Sequence, residues 1–386
     1  MNNFSSISFP SNSTNKDIII IGNTSWYLYN FRIGLLNRLL NSGHRLTILA
    51  PLDEYSKKIQ QLGCSFHELE MDNQSLNPFN DFLLFRRIKL LLIHYKPDLV
   101  IHYTIKPVIY GSLVSNKFNI PFVNNITGLG TVFIKKSFIT YIVKVLYRIS
   151  QKRASYLFFQ NQDDKIIFKN ERLVPSYVPS IVFPGTGIDT SFFPFKSYKS
   201  STSNTFLLIA RIIWDKGIGE FVEAANEVKK YFPNSQFQLL GYLDVLNRTA
   251  ISHQQIEAWT SDGIIHYLGE SEDVRPFLEK AGCVVLPSYR EGFPRSLLEA
   301  AAMCRPIIAT DVSGCRDVVE HGVNGYLCKT RDAHDLAQKM KDMIRLSIDE
   351  KRKMGLRGRE KMKQNFDQKV IVEKIVDCIE SVLNTA

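Results

Sequence analysis

The sequence predicts an α/β protein built from two doubly wound domains that face a central cleft. Short apolar segments rich in β-formers alternate with longer segments of helical periodicity, which is the pattern of parallel sheets covered by helices on both faces. The alternation stops in a polar segment near the middle of the chain and then restarts. A length of 386 residues also suits two domains of ordinary size better than one.

The first half of the chain contains five predicted strands with helical stretches between them. The strands are Ile18–Ile21, Leu46–Leu49, Leu99–His102, Pro121–Val123 and Tyr156–Phe159, and the helical stretches include Phe31–Asn41 and Phe79–Tyr95. We assign them to an amino-terminal domain over residues 17–195. Residues 1–16 are rich in Ser and Asn and lack the apolar core of a signal peptide, so we expect a disordered leader.

The second half repeats the pattern after a Ser- and Thr-rich linker, residues 196–204. The predicted strands are Thr205–Ile209, Gln236–Leu240, Ile264–Leu268, Cys283–Leu286 and Pro306–Ala309, and the predicted helices are Gly217–Tyr231, Arg295–Met303 and Asp332–Leu346. They define a second domain over residues 205–366. Residues 367–386 have helical spacing of apolar residues, and this helix could pack on either domain.

The segment Leu286–Glu299 is typical of a ligand-binding loop. A predicted strand ends at its first residue, Glu291 and Gly292 follow in a loop, and Pro294 suits the first turn of a helix. Glycine lets the backbone approach a ligand, so amide N–H groups here can bind sugar or phosphate oxygens. In isolation Glu291 and Glu299 would be surface carboxylates. Their place at the end of a predicted strand favours a binding function instead.

A second set of candidate residues follows the predicted strand Thr205–Ile209. Arg211 offers a fork of donors and Lys216 a compact charge, and Gly217 comes next at a predicted helix start. Two basic residues in a solvated loop are the commoner reading of such a pair. Their occurrence in the same domain as the two glutamates favours a clamp for a diphosphate.

Glu291 and Glu299, with seven residues between them and with Arg211 and Lys216 upstream, resemble the signature of the large retaining glycosyltransferase family four. The resemblance covers nearly the whole chain from about Lys16 and implies the GT-B fold, in which two Rossmann-like domains face a central cleft. It also implies that residues 17–195 form the acceptor-binding domain and residues 205–366 the nucleotide-sugar-binding domain. It is especially close to bacterial enzymes that extend glycans on undecaprenyl diphosphate in N-glycosylation, capsule or O-antigen assembly. The segments that carry it are Ile209–Phe221, His266–Gly269, Leu286–Ala300 and Asn124–Phe133.

This resemblance implies transfer of a hexose or N-acetylhexosamine from a UDP-sugar to a polyprenyl-diphosphate-linked glycan, with retention of configuration. Arg211 and Lys216 would bind the donor diphosphate, Glu299 the ribose hydroxyls and Glu291 the transferred sugar. The other implied donor-binding positions are Gly292, Phe293, Arg295, Gly22, Asn23, Gly241, His266 and Pro287. A front-face route, in which the donor phosphate helps to deprotonate the acceptor, and a double displacement through a carboxylate both stay open.

Two features depart from the family pattern. Many relatives have a Gly-Gly loop after the first strand, whereas this chain has Gly22-Asn23. Many also have a His-Thr-x-Lys arrangement near the end of the fourth strand. Here Tyr103 stands at the His position and His102 comes one residue early. His102 is therefore a candidate catalytic residue, with a structural role as the alternative.

The positive charge is concentrated in the first half of the chain. Of a net charge of +10, residues 1–190 carry a surplus of nine and the remainder a surplus of one. No nucleic-acid-binding module accompanies these cations, so we expect no nucleic-acid partner. A phosphorylated substrate or an anionic membrane surface is the expected partner.

The segment Lys135–Arg153 places Lys144, Arg148 and Lys152 on one face of a predicted helix, and Lys136 adds to them. An ordinary packed helix with a solvated basic face is one interpretation. A surface that binds anionic lipid and meets the acceptor is the other. The family resemblance favours the second.

We expect no metal or other cofactor. An Asp-x-Asp pair is absent, and Glu68–Asp72 alternates with a period of two, which predicts the solvent face of a strand. The six cysteines show no C-x-x-C spacing, which indicates reduced thiols, and no run of about 18 apolar residues occurs. These features favour a cytoplasmic protein, and the family resemblance implies an enzyme that is peripheral on the inner face of a bacterial plasma membrane.

Two other functions stay open. A nucleotide-sugar 2-epimerase has the same two-domain plan, although its acidic and histidine pattern is not recognised in this chain. A non-catalytic sugar- or nucleotide-binding module would be expected to have lost some of Glu291, Glu299, Arg211 and Lys216.

Overall fold

The computed structural model describes residues 15–72, 77–128, 138–198, 200–245 and 247–385. They form two compact units. The first comprises the described residues of Met1–Phe158, Ile167–Ile181 and Val372–Ala386, and the second those of Phe159–Ile166 and Val182–Ile371.

The strands are numbered in chain order. They are β1 Asp17–Ile21, β2 Arg45–Ala50, β3 Ser65–Glu68, β4 Leu99–Tyr103, β5 Phe122–Ile126, β6 Tyr156–Phe159, β7 Ser180–Val182, β8 Thr205–Ile209, β9 Gln236–Leu240, β10 His266–Tyr267, β11 Cys283–Leu286, β12 Ile307–Thr310 and β13 Gly325–Cys328.

The α-helices are numbered in the same way. They are α1 Ser25–Asn41, α2 Tyr55–Gln61, α3 Pro78–Tyr95, α4 Ser112–Phe118, α5 Phe138–Ser150, α6 Gln162–Asn170, α7 Ile218–Lys229, α8 His253–Ser261, α9 Arg275–Lys280, α10 Arg295–Ala302, α11 Cys315–Val318, α12 Ala333–Arg345, α13 Ile348–Asn365 and α14 Gln368–Thr385.

The sheet of the first unit has the strand order β3-β2-β1-β4-β5-β6-β7. Strands β1 to β5 pair in parallel, and the strand order reverses between β1 and β4. Ile18–Ile21 and most of β4 are fully buried, as expected of parallel strands with helices on both faces. Helices α3, α4 and α5 pack side by side in one layer.

Local signals in the sequence fix the ends of several helices. The Thr24 side chain accepts a hydrogen bond from the Tyr27 amide and caps α1. Helix α3 starts with Pro78 behind the cap Asn77 and ends at Lys96, which has the left-handed conformation typical of a helix C-terminus.

The last helix, α14, belongs to the first unit for most of its length. Glu373 pairs with Arg38 on α1, with an Nε–Oε1 distance of 2.7 Å. Glu380 contacts the ring of His44 at 2.8 Å. The described residues of α14 from Val372 onward therefore pack on the first unit, a choice that the sequence left undecided.

The sheet of the second unit is parallel throughout, with the order β10-β9-β8-β11-β12-β13. Its order reverses between β8 and β11. Alternate residues of β8 enter two separate apolar clusters: Phe206 and Leu208 join one and Leu207 the other. The sheet is thus packed on both faces, which leaves the loops at its strand ends to carry polar side chains.

The unit boundary differs from the sequence-based linker at residues 196–204. Residues 182–195 already pack with the second unit, where Ile188 donates its amide to the Phe366 carbonyl at 2.8 Å and Phe193 is buried. The prediction of a strand over Glu68–Asp72 was also wrong. Strand β3 ends at Glu68, and beyond it Glu70 forms an ion pair with Arg87. Period-two alternation over five residues was too short to distinguish a strand from a loop.

Candidate active site

The candidate site lies in the loops that follow β8 and β11. These two strands are neighbours in the centre of the second sheet, at the position where the strand order reverses. In open parallel sheets the loops at such a switch point diverge and leave room for a ligand. Lys216 follows β8 and Glu291 follows β11, so the topology brings the two sequence-predicted residues together.

Lys216 and Glu291 form an ion pair in which the Lys216 ammonium donates to the Glu291 Oε1 atom. The Lys216 side chain is 19% exposed and that of Glu291 10%. Two charges this far removed from water are tolerated because each compensates the other. The nearby Cys315 thiol is buried, and burial together with the Glu291 charge raises its pKa well above the ordinary value.

The two loops are held in register by backbone contacts. The Tyr289 amide donates to the Asp215 carbonyl at 2.9 Å, and the Ser288 hydroxyl donates to the same carbonyl at 3.2 Å. Gly217 has a φ of +71°, and a Cβ there would lie 2.0 Å from the Pro287 carbonyl oxygen. Only glycine allows this approach, so the loop that carries Lys216 is held against the loop that carries Glu291.

Glu299 is buried in α10, one turn after Arg295 on the same helix. The Arg295 Nε atom donates to Glu299 Oε1 at 2.8 Å. Burial raises the pKa of the Glu299 carboxyl above its ordinary value, and the Arg295 charge opposes that shift. A carboxylate held by one oxygen can still accept hydrogen bonds from ligand hydroxyls at the other.

The residues that follow Glu291 are anchored by neighbouring elements. The Gly292 carbonyl accepts a hydrogen bond from the Asn161 side chain at 2.9 Å. The Phe293 ring packs against Phe366, with ring centroids 5.3 Å apart. Within the described part of the chain the Gly292 and Phe293 amides have no acceptor, so both can donate to a ligand oxygen.

The remaining donor-site candidates of the second unit lie in different settings. Arg211 is exposed and, among the described residues, has no ion pair, in contrast to Lys216. His266 is exposed on the edge strand β10, whereas Pro287 is buried. Gly241 approaches the backbone after β8: a Cβ there would lie 1.7 Å from the Ala210 carbonyl oxygen. The structure thus brings Lys216 and Glu291 into contact and does not show Arg211 paired with either glutamate.

In the first unit, His102 lies inside the protein rather than at a surface. It is fully buried, and its Nδ1 atom lies 2.8 Å from the Asn124 Oδ1 atom. A Cβ at Gly111 would lie 2.3 Å from its Nε2 atom, so the ring is closely enclosed. Burial lowers the pKa of His102 to about 4. These contacts favour the structural alternative for His102 over a catalytic role.

Gly22 and Asn23 occupy the turn after β1, at the reversal point of the first sheet. The Gly22 amide donates to the Leu49 carbonyl at 3.1 Å, and a Cβ at Gly22 would lie 2.8 Å from the Leu28 side chain. Asn23 is half-buried. The single glycine of this loop is therefore needed for packing of the loop onto α1.

Helix α5, which carries Lys144 and Arg148 of the predicted basic face, is less positively charged than its sequence indicates. Lys144 pairs with Glu171 at 2.7 Å, and Arg148 donates to the Glu171 carbonyl at 3.1 Å. Lys152 is exposed, and Lys136 lies outside the described residues. The sequence missed this neutralisation because Glu171 is 27 positions from Lys144.

The same helical layer exposes large apolar side chains. On α3 these include Phe79, Phe82 and Leu90, and on α5 they include Phe138, Tyr141 and Ile142. Over the described ranges, no helix is both long and apolar enough to cross a bilayer. Nor do the described residues include a cluster of three or more His, Cys, Asp or Glu side chains suited to a metal ion.

Sequence reasoning missed several residues that shape the site. Tyr289 donates its hydroxyl to Glu220 at 2.7 Å, and this contact raises the pKa of Tyr289 together with the larger effect of burial. Arg290 pairs with Asp164 at 2.9 Å. Arg290 stands beside Glu291 in the sequence, but its partner lies 126 positions away, so no local pattern reveals the pair.

Two family models match the chain. Residues 17–161 match the model described as Glycosyl transferase 4-like, and residues 189–361 match the model described as Glycosyl transferases group 1. Both site glutamates, Lys216 and Arg211 fall in the second of these segments.

Individual relatives agree with the family models. The chain is 28% identical over 374 residues to the N,N'-diacetylbacillosaminyl-diphospho-undecaprenol alpha-1,3-N-acetylgalactosaminyltransferase of Campylobacter jejuni. The alignment covers 92% of this chain and 96% of the relative. Among solved structures, a glycosyltransferase from Rickettsia africae aligns with a TM-score of 0.76 at 18% identity, over 97% of this chain and all of the other. The Anabaena protein HepE, in complex with UDP and glucose, aligns with a TM-score of 0.76 at 18% identity, over 95% of this chain and all of the other.

Proposed function

This chain is a glycosyltransferase, and from that premise we propose that it transfers a hexose or N-acetylhexosamine from a UDP-sugar to a polyprenyl-diphosphate-linked glycan. Its glycosyl transferase 4-like segment is followed by a group 1 segment. The Campylobacter relative is named for a transfer to a diphospho-undecaprenol substrate and is similar along almost its whole length. The solved Anabaena neighbour was crystallised with UDP and glucose. Both support the proposed donor and acceptor classes.

The ion pair of Lys216 with Glu291 is the observation that carries this proposal. It lies at the switch point of the second sheet, where a ligand has room, and it joins a cation suited to phosphate with an anion suited to sugar hydroxyls. A donor diphosphate competes with Glu291 for the Lys216 ammonium. The carboxylate that is thereby released accepts hydrogen bonds from the transferred sugar.

The other donor groups follow from this arrangement. The Glu299 carboxylate, oriented by Arg295, accepts hydrogen bonds from the ribose hydroxyls. The Gly292 and Phe293 amides donate to donor oxygens. Arg211 is exposed and can turn toward the diphosphate to add a second positive charge. No metal is assigned to this chemistry, and the positive side chains take the role of stabilising the departing diphosphate.

The proposed reaction retains the anomeric configuration by the front-face route. The bond between the sugar C1 atom and the diphosphate oxygen breaks, and UDP leaves with the bonding electrons. An acceptor hydroxyl oxygen forms the new bond to C1, and its proton passes to the departing phosphate oxygen. Lys216 stabilises the negative charge that develops on that diphosphate.

The acceptor is proposed to reach the enzyme at the cytoplasmic face of a bacterial plasma membrane. The layer of α3 and α5 exposes Phe79, Phe82 and Phe138, and most of its charged residues are basic. Such a surface suits the interfacial region of an anionic bilayer, in which aromatic rings insert and cations approach lipid phosphates.

A donor and acceptor screen tests the proposed function. The protein is incubated with UDP-N-acetylgalactosamine, UDP-N-acetylglucosamine, UDP-galactose or UDP-glucose in EDTA, with and without a polyprenyl-diphosphate glycan. We expect UDP release that depends on the acceptor and a product heavier by one sugar in mass spectrometry. A Glu291→Gln variant serves as the control for background hydrolysis.

The other outcomes separate the alternatives. Interconversion of the UDP-sugar without acceptor would identify an epimerase. Tight binding of UDP-sugar without turnover would identify a binding module. Activity that returns only when Mn²⁺ or Mg²⁺ replaces EDTA would contradict metal independence while leaving the transfer itself intact.

A further inference from the structure

We infer that Asn161 and Asp164 are positioning residues for Glu291 and thereby determine how the enzyme binds the transferred sugar. This inference rests on the proposed role of Glu291 at the sugar of the donor. The turn Asn161–Asp164 is the first turn of α6 together with Asn161, which precedes the helix and accepts from the Asp164 amide. Except for its first residue, it lies between the segments that match the two family models.

The turn holds the residues on both sides of Glu291. On one side, the Arg290 guanidinium donates to Asp164 Oδ1 at 2.9 Å. On the other side, the Gly292 carbonyl accepts from the Asn161 side-chain amide at 2.9 Å. Glu291 itself makes neither contact, so its side chain stays available for Lys216 or a ligand.

The turn is itself rigid. The Asp164 amide donates to Asn161 Oδ1 at 2.8 Å, and the Asn161 amide group also donates to Asp164 Oδ2 at 3.1 Å. Both side chains are buried, and that of Asp164 is 2% exposed. Buried polar groups that satisfy one another keep a single arrangement, because any rearrangement leaves one of them without a partner.

The loop is confined on its other side by Gly314. This residue has a φ of +77°, and a Cβ there would lie 2.5 Å from the Gly292 carbonyl oxygen and 3.1 Å from that of Glu291. The backbone of Glu291 is therefore fixed between Gly314 and the Asn161–Asp164 turn. Displacement of a binding group by about 1 Å can cost on the order of a hundredfold in rate, so this confinement matters for sugar transfer.

The inference predicts a separation between sugar and nucleotide binding. Lys216 and Glu299 are carried by other elements, the turn after β8 and helix α10. Loss of the Asp164 contact should displace Glu291 and leave the groups for the nucleotide in place. A merely structural role would weaken UDP and UDP-sugar binding together.

The decisive comparison is Asp164→Asn against Asp163→Asn. Each variant removes one ion pair from the same turn, but Asp163 pairs with Arg316 at the surface. Calorimetry with UDP and with the UDP-sugar that the wild type turns over gives both affinities, and initial rates give kcat/KM. For Asp164→Asn we expect UDP-sugar affinity and kcat/KM to fall by about tenfold or more, with UDP affinity within about twofold. For Asp163→Asn we expect all three within about twofold.

A second pair of variants covers the case in which Asp164→Asn does not fold. Arg290 is partly exposed, so Arg290→Lys retains a cation for Asp164 and Arg290→Met removes it. We expect Arg290→Lys to recover much of the UDP-sugar affinity that Arg290→Met loses.

Three results would overturn the inference: an equal loss of UDP and UDP-sugar affinity, equal effects of the Asp163 and Asp164 substitutions, or an unchanged Arg290→Met enzyme. A wild-type protein that binds UDP but none of the four UDP-sugars would instead contradict the proposed donor. The two failures are thus distinguishable.

Discussion

The Lys216 ammonium and the Glu291 carboxylate are ion-paired although 75 positions separate them in the sequence. Their loops follow two strands that are adjacent in the sheet but distant in the chain, because β9 and β10 intervene in the sequence. Each side chain is mostly buried, so each depends on the other for compensation of its charge. Removal of one therefore affects both donor binding and stability.

Lys216→Ala should lower kcat/KM by about a hundredfold, because it removes one preorganised hydrogen-bond donor to the departing diphosphate. Such a donor stabilises the transition state by on the order of 3 kcal/mol. Glu291→Gln keeps the shape of the side chain but removes its charge, and we expect kcat/KM to fall by a similar factor. Both are measured from initial rates with saturating acceptor. Full activity in a folded variant of either residue would contradict the proposed site.

Arg352→Ala is the matched control for the Lys216 substitution. Arg352 pairs with Asp349 at 3.0 Å on the surface of α13, and such exposed pairs contribute about 0–1 kcal/mol. We expect its rate and melting temperature to match the wild type, whereas Lys216→Ala should also melt earlier because Glu291 is left without its partner.

UDP binding should depend on pH through Glu299. Burial raises the pKa of this carboxyl, so at pH values between the ordinary 4.5 and the raised value the native protein keeps a proton that the unfolded chain has lost. Stability therefore falls, and UDP affinity rises, as pH increases through that window, because the ionised form accepts hydrogen bonds more strongly. Calorimetry with UDP between about pH 5 and pH 8 measures the second effect.

Two variants identify Glu299 as the source of this pH dependence. Glu299→Gln should bind UDP weakly and without the pH dependence. Arg295→Met should shift the dependence to higher pH, since the Arg295 charge normally opposes the rise in pKa. A wild-type pH profile unchanged by either substitution would exclude Glu299 from the ribose site.

His102 should act on stability rather than on catalysis. Its pKa of about 4 lies below the ordinary 6.5, so the unfolded chain binds more protons between these values and stability is lost as pH falls from about 6.5 toward 4. The shift corresponds to about 3 kcal/mol at 1.36 kcal/mol per unit. When the pH is lowered from about 7.5 to about 5, the melting temperature of His102→Gln should fall less than that of the wild type. A pKa near the ordinary histidine value in the pH–rate profile of the wild type, absent from the profile of this variant, would restore the catalytic interpretation.

Gly217→Ala should be more damaging than Gly263→Ala. Both residues have positive φ, +71° and +66°, so both substitutions carry a backbone cost of about 1–2 kcal/mol. At Gly263 nothing lies within 4 Å of the added Cβ, whereas at Gly217 the Pro287 carbonyl oxygen lies 2.0 Å away. The clash should add about 1–3 kcal/mol and separate the Lys216 and Glu291 loops. Melting temperature and kcat/KM should both distinguish the two variants.

Membrane binding should depend on aromatic residues more than on Lys144. Phe79→Ser and Phe82→Ser should each weaken binding to anionic vesicles by about tenfold, since burial of such a ring contributes about 1.5–3 kcal/mol. Lys144→Ala should have a smaller effect because Glu171 already compensates that charge. Tyr231→Ser, at an exposed aromatic residue of the second unit, is the control. Vesicle flotation that is unaffected by the phenylalanine substitutions would exclude this surface.

Sequence reasoning predicted the elements that depend on local pattern. Five of the six strands described for the second sheet, β8 to β12, and the Glu291 loop at the end of β11 lie within about two residues of where apolar periodicity and turn residues placed them, whereas β13 was not predicted. The pattern could not show which strands become neighbours, and this is what pairs Lys216 with Glu291. It also could not show that His102, near the end of β4, is completely buried. A strand whose end reaches the surface and a strand whose end lies in the interior have the same sequence pattern.

Long-range polar contacts explain the remaining differences. Glu171 neutralises Lys144, and Asp164 fixes Arg290, through separations of 27 and 126 positions. Each partner looks like an ordinary surface charge in its own segment. Only the packing of the surrounding helices and loops brings the charges into contact.

The position of α14 has a consequence for biosynthesis. Its residues from Val372 onward belong to the first unit, yet the ribosome adds them only after the second unit. Arg38 and His44 on the first unit therefore have no contact with Glu373 and Glu380 until the second unit has been synthesised. We expect the nascent amino-terminal half to stay sensitive to protease until α14 has been synthesised.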